Sequence, residues 1–186
     1  MEQVKKEKNE IWEWAKALII AFAAVWLIRH FLFTPIVVDG ESMMPTLENG
    51  ERMIVSKIGY EVGEPSRFDI VVFHAPEKKD YIKRVIGLPG DHVAYKNDQL
   101  YINGELQKEP YLESYKTLMN GGTLTEDFTL EERTGEKVIP EGYLFVMGDN
   151  RGNSTDSRII GLVPLEEVIG KTNIIFWPLK EIGMVK

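Results

Sequence analysis

Apolar positions fall into two regimes along this chain. From Trp12 to Phe33 they form one mostly continuous run, densest from Ala17 to Ile28, with Arg29 and His30 ahead of Phe31, Leu32 and Phe33. A helix over that run reaches about 33 Å, against about 30 Å of bilayer hydrocarbon, so it can span a membrane. Arg29 and His30 sit near one end, where a long cation can snorkel to the headgroups, and Trp12, Trp14 and Trp26 suit an interface or a lipid face. A cleaved secretory leader and a buried core helix are the competing readings. A leader calls for small residues after its apolar core, whereas the bulky sequence Phe31-Leu32-Phe33-Thr34-Pro35 follows here. Lys5, Lys6, Lys8 and Lys16 precede the run, which puts that side in the cytoplasm. The expected organisation is a short cytoplasmic N-terminus (1–11), a transmembrane anchor helix (12–34) and an extracytoplasmic domain (35–186).

Beyond Pro35 the pattern changes to short β-branched and aromatic runs punctuated by Gly, Pro, Asn and Asp, which predicts a mainly β domain. Strands are expected over 36–38, 52–57, 69–74, 81–87, 92–96, 99–102, 143–147 and 172–177. Lys96-Asn97-Asp98-Gln99 reads as a hairpin turn, and Asn103-Gly104 starts another reversal. Residues 163–168, opened by Pro164 and carrying two glutamates, predict a short helix or turn. Residues 108–136 are more polar, with Gly121-Gly122 and an acidic cluster, and are expected as an insertion or flap.

Composition narrows the function. At 186 residues, 44% hydrophobic and 27% charged, the chain can build one globular core. A net charge of −7 argues against nucleic acid as a partner, since phosphate binding needs a clustered basic face. The absence of cysteine removes disulfides, thiolate nucleophiles and Cys-ligated metal.

Three clusters carry chemistry. Gly40-Glu41-Ser42-Met43-Met44-Pro45-Thr46 places a serine just beyond the anchor, and a serine nucleophile needs a neighbouring base. His74 or His92 could complete a Ser-His-Asp triad by count, but neither lies in a triad-like sequence. Lys83 stands within Tyr81-Ile82-Lys83-Arg84-Val85-Ile86-Gly87, an alternating run that puts it on one face with Tyr81 and Val85. Desolvation there would leave a neutral amine able to act as general base. An edge-strand lysine in water fits the same pattern, so the pattern alone leaves both open. The third cluster runs from Gly148-Asp149-Asn150-Arg151 to Asp156-Ser157-Arg158. It is compatible with an Asx-rich loop that satisfies its own backbone, or with oxygen ligands for calcium at Asp149, Asn153 and Asp156, although the EF-hand order is absent.

Taken together and in this order behind one anchor, these clusters resemble the type I signal peptidase family. The matching stretches are Ser42-Met43-Met44-Pro45-Thr46, Lys83-Arg84-Val85-Ile86-Gly87-Leu88-Pro89-Gly90-Asp91, and Gly148-Asp149-Asn150-Arg151 with Asn153-Ser154 and Asp156-Ser157-Arg158. The single anchor resembles the smaller branch of that family. The resemblance implies an antiparallel β catalytic domain of signal-peptidase type with one N-terminal transmembrane helix and no metal or organic cofactor. Its implied activity is removal of signal peptides from secretory preproteins on the outer face of the cytoplasmic membrane. The partners implied are those preproteins and the lipid bilayer, with the secretion machinery a further candidate. Ser42 would attack and Lys83 would move the proton; Ser154 would orient the Lys83 amine; Asp149 would pair with Arg84, and Asp156 with Arg158. Ile36, Val38, Met43 and Ile82 would wall shallow pockets for small side chains, as in Ala-x-Ala sites. The sequence departs from the family at Gly40, where two-anchor members carry an oxyanion-binding serine, and at Gly152, where an aspartate is frequent. A soluble self-cleaving repressor with the same dyad and a catalytically silent peptide-binding module are the alternatives.

Overall fold

The computed structural model describes residues 10–27, 32–57, 65–118 and 122–185. In chain order the elements are α1 (Glu10–Leu27), β1 (Phe33–Val37), β2 (Arg52–Ser56), β3 (Ile70–His74), β4 (Asp80–Gly87), β5 (Val93–Lys96), β6 (Gln99–Ile102) and β7 (Glu105–Gln107). There follow α2 (Glu113–Leu118), β8 (Phe128–Thr129), α3 (Leu130–Thr134), β9 (Tyr143–Met147), α4 (Ser157–Ile160), β10 (Val163–Pro164), β11 (Val168–Trp177) and β12 (Gly183–Met184). The larger sheet runs β1-β2-β11-β3-β4-β9-β10 with β12 on β11, and the smaller runs β7-β6-β5-β8. Strand pairing among the described residues is antiparallel.

Local chemistry sets the hairpins. Asn97 and Asp98 adopt φ of 50° and 60°, and Asn103 and Gly104 adopt 53° and 83°, the positive angles that a tight two-residue turn requires. These turns pair Lys96 with Gln99 and Ile102 with Glu105.

Packing then joins the sheets. Ile86, Phe145 and Met147 of the larger sheet share a cluster with Val93, Tyr95, Leu100 and Ile102 of the smaller one. A second cluster holds Val71, Phe73, Val85, Leu144 and Val146, so β9 is buried on both faces in alternation. A third gathers Val38, Met43 and Leu47 from the loop after β1 onto Met53, Ile70 and Ile175.

Three expectations change. The described residues of the stretch 108–136, expected as an insertion or flap, join the core: Leu112, Leu124, Phe128 and Leu130 are buried and β8 pairs with β5. Their apolar positions are sparse and irregularly spaced among charges, which hides their contribution from a periodicity reading. The short helix or turn expected over 163–168 is present as a single 3-10 turn at Leu165–Glu167, but Val163 and Pro164 ahead of it form β10, paired with β9. Phe33 and Thr34, expected in the anchor, belong to β1, paired with Ser56 and Val55.

Within the described part of the expected anchor, helix α1 spans Glu10–Leu27, and its large apolar side chains, among them Ile11, Trp14, Leu18, Ile19, Ile20 and Phe22, are exposed. Among the described residues no helix is long and apolar enough to cross a membrane. Lys5, Lys6 and Lys8 in the expected cytoplasmic N-terminus, Arg29 and His30 in the expected anchor, and Gly121 in the expected insertion lie outside the described residues.

Candidate active site

Ser42 sits in a loop pinned at both sides. Val38, Met43 and Leu47 bury their side chains, Val38 N–H donates to Glu51 O (2.8 Å), and Leu47 N–H donates to Met43 O (3.0 Å). The turn before the serine uses Gly40 at φ +99°, a left-handed conformation that a side chain would strain, so glycine suits this position.

Lys83 reaches the serine from β4. Its Nζ donates to Ser42 Oγ over 2.8 Å and to Ile82 O over 2.9 Å, and the residue is 3% exposed. Burial lowers its pKa from 10.5 to about 8, while the Asp156 and Asp149 carboxylates pull it back part of the way. Alternation puts Lys83 and Arg84 on opposite faces of β4. Both Lys83 and Arg84 are buried, because the strand is covered on both faces.

Arg84 is compensated by Asp149, which accepts from Nε (2.9 Å) and Nη2 (2.6 Å) and also from Thr46 Oγ1. Asp156 accepts from Gly148 N–H (2.9 Å) and pairs with Arg158 through Nε (2.8 Å) and Nη2 (2.7 Å). Each expected pair is therefore present, and each carboxylate also holds the loop that follows β9.

That loop grips the Ser42 segment from behind. Asn150 N–H donates to Ser42 O (3.0 Å) and its Nδ2 donates to Glu41 O (3.0 Å). Sequence reasoning assigned no role to Asn150 or Thr46, although both stand inside the motifs. Ser154 lines the same cleft as Ser42 and Lys83, but its buried Oγ has no hydrogen-bond partner among the described residues, so the expected bond to the Lys83 amine is not formed.

A cleft of about 740 Å³ opens over the pair, lined among others by Ile36, Val38, Met43 and Ile82. Ile36 and Val38 come from the end of β1 and just beyond it, and Ile82 from β4; three strands separate β1 from β4 in the sheet order, so the sheet curls to bring them to one cleft. Neither His74 nor His92 lines it; exposed His74 pairs with Asp80 instead (2.7 Å). Among the described residues no group of His, Asp and Glu is arranged to hold a metal ion.

The cleft thus holds a serine hydroxyl bonded to a buried lysine amine, and sequence comparison gives the lineage. Residues 11–177 match the family model described as signal peptidase, peptidase S26. The chain belongs to that family. A signal peptidase I of Bacillus caldolyticus is 50% identical over 181 residues, covering 97% of each chain. A signal peptidase IB of Staphylococcus aureus (strain COL) is 43% identical over 178 residues, covering 94% of this chain and 93% of the relative. Among solved structures, a signal peptidase I from Enterococcus faecalis V583 superposes with a TM-score of 0.57 at 46% identity, over 59% of this chain and 97% of that one. The family makes this chain a signal peptidase, with signal-peptide-bearing preproteins as substrates.

Proposed function

We propose that the chain is a membrane-anchored serine endopeptidase in which Ser42 and Lys83 form a catalytic dyad that cuts preproteins after small residues at Ala-x-Ala-type sites. The 2.8 Å contact between Lys83 Nζ and Ser42 Oγ carries this reading. With a pKa near 8, about a tenth of the lysine is neutral at pH 7, against about 0.03% at the ordinary value. The neutral amine takes the hydroxyl proton as Ser42 Oγ attacks the scissile carbonyl. The Ser42 backbone N–H and a second main-chain donor stabilise the oxyanion. The C–N bond then breaks, Lys83 protonates the leaving amine, and water activated by the same amine releases the acyl-enzyme. Ser154, in the same cleft, would turn its unpartnered hydroxyl to the ammonium to orient it, while Asp149–Arg84 and Asp156–Arg158 act through geometry.

Among the described residues two strand edges are unpaired, which supports an extended substrate. β1 ends the sheet, and β4 pairs with β9 only from Arg84 onward, leaving 80–83 open on that side. A peptide added there pairs its main chain while alternate side chains meet Ile36, Val38, Met43 and Ile82, whose bulk admits small groups and rejects large ones. The exposed apolar face of α1 supports a bilayer anchor, and Lys5, Lys6, Lys8 and Lys16 support an N-terminus inside with the domain on the outer face. Placement beside the bilayer would bring the site to preproteins leaving the secretion machinery.

The test is cleavage of a purified preprotein in detergent by wild type, Ser42→Ala and Lys83→Ala, with the product N-terminus sequenced. Loss in both variants, with wild-type cutting after a small residue, is expected. Activity that survives Lys83→Ala would return the base to His74 or His92.

A further inference from the structure

Residues 109–111, within the stretch expected to be an insertion, reach the loop behind the nucleophile. Buried Glu109 accepts at Oε1 from Tyr95 Oη (2.7 Å), from Tyr111 Oη (2.8 Å) and from Arg151 Nη2. Arg151 is itself buried; its Nη1 donates to Tyr95 Oη and to Thr125 Oγ1 (3.2 Å), and its Nε donates to Gly148 O (3.1 Å). Burial alone would weaken this cation, yet the oxygens of Tyr95, Glu109 and Tyr111 push its pKa upward. The Tyr111 ring centroid lies 3.9 Å from the Arg84 guanidinium carbon, whose group grips Asp149. Two buried arginines therefore brace residues 148–151, each is backed by the turn at 109–111, and the braced loop supplies the Asn150 N–H that holds Ser42 O.

We propose that Glu109 and Tyr111 are positioning residues for the reaction: through Arg151 and Arg84 they fix the 148–151 loop and so the main chain at Ser42. The inference rests on Ser42 being the nucleophile. A buried ion pair is weak evidence for stability in itself, because desolvation offsets much of its attraction. Its value here is geometric, since a displacement of about 1 Å at a reacting group costs about 100-fold in rate.

The experiment uses the full chain in detergent as wild type, Glu109→Gln, Tyr111→Phe, Arg151→Met and the Glu109→Gln/Arg151→Met double variant. Active sites are counted by labelling Ser42 to completion with a serine-directed covalent inhibitor, and kcat and KM are expressed per labelled site. Glu109→Gln is expected to lower kcat per site about 10- to 100-fold, with KM nearly unchanged because Ile36, Val38, Met43 and Ile82 are not part of the brace. Tyr111→Phe, which removes one hydroxyl, lowers it less. In the Arg151→Met background Glu109→Gln adds nothing, because both act along one path. Wild-type kcat per labelled site in Glu109→Gln, or losses that multiply in the double variant, would overturn the proposal. Should Glu109→Gln fail to fold, an unchanged kcat per site in Tyr111→Phe overturns it equally. Failure to label wild-type Ser42 would overturn the nucleophile assignment and this inference with it, whereas full labelling with unchanged turnover overturns this inference alone.

Discussion

Lys83→Met isolates the energetic consequence of burying this lysine. In the folded chain Lys83 titrates at about 8, against 10.5 when free. Between those values the unfolded chain binds the extra proton, so stability rises with pH across that window. Below about pH 8 both states carry the charge, and the fold bears the whole penalty of burying it. A gap of about 2.5 units corresponds to about 3 kcal/mol. Methionine fills similar space and does not titrate, so the variant escapes this penalty at every pH. It also loses the donors to Ser42 Oγ and Ile82 O, an opposing loss of about 1 kcal/mol each. The quantity to read is therefore a change with pH: the stability of Lys83→Met minus that of wild type should fall by about 2–3 kcal/mol from pH 7 to pH 10. Denaturant unfolding of both full chains in detergent, followed by tryptophan fluorescence, measures it, and other titrating groups cancel because they are common to both. Wild-type kcat/KM should climb about tenfold per unit below pH 8 and level off above it. A stability difference that stays flat from pH 7 to pH 10 would refute the claim that a depressed, buried lysine lies beside Ser42.

Two further outcomes test the support of the site. Gly148→Ala places a methyl group onto Ser154 Oγ and Ser42 O; since backbone cannot yield as a side chain does, kcat/KM should fall about 100-fold and the melting temperature should drop. Asp149→Asn leaves Arg84 buried at 2% exposure without its counter-charge, and chemical denaturation should register a loss of about 3–5 kcal/mol.

What the sequence revealed follows the range of the interactions involved. The hairpin at Asn97-Asp98 was legible because its chemistry lies within four residues, strand 99–102 because its alternation matches its burial, and strand 143–147 because a short continuous apolar run suits a strand buried on both faces. The meeting of Ser42 with Lys83 was not readable from periodicity, which leaves both faces of β4 open; it came from motif resemblance. Glu109 was missed because its partner Arg151 lies 42 residues away and a lone glutamate in an acidic stretch carries no local signal. The Ser154 hydroxyl was placed in the right cleft, but a hydrogen bond depends on rotamer and loop position, which a motif does not encode. The boundary between helix and β1 was drawn late because Phe33 and Thr34 continue an apolar run whose end is set by pairing with β2.

The two-sided burial of β9 governs how the enzyme loses function on heating. Leu144 and Val146 face one cluster while Phe145 and Met147 face another, so the amides of this strand exchange with solvent only when the whole domain opens. The loop carrying Asp149 and Asn150 hangs directly from that strand. Local fraying elsewhere, at β12 or at the exposed helix, leaves the support of Ser42 in place. Inactivation and global unfolding then share one transition, and the enzyme works at full rate until the domain itself gives way.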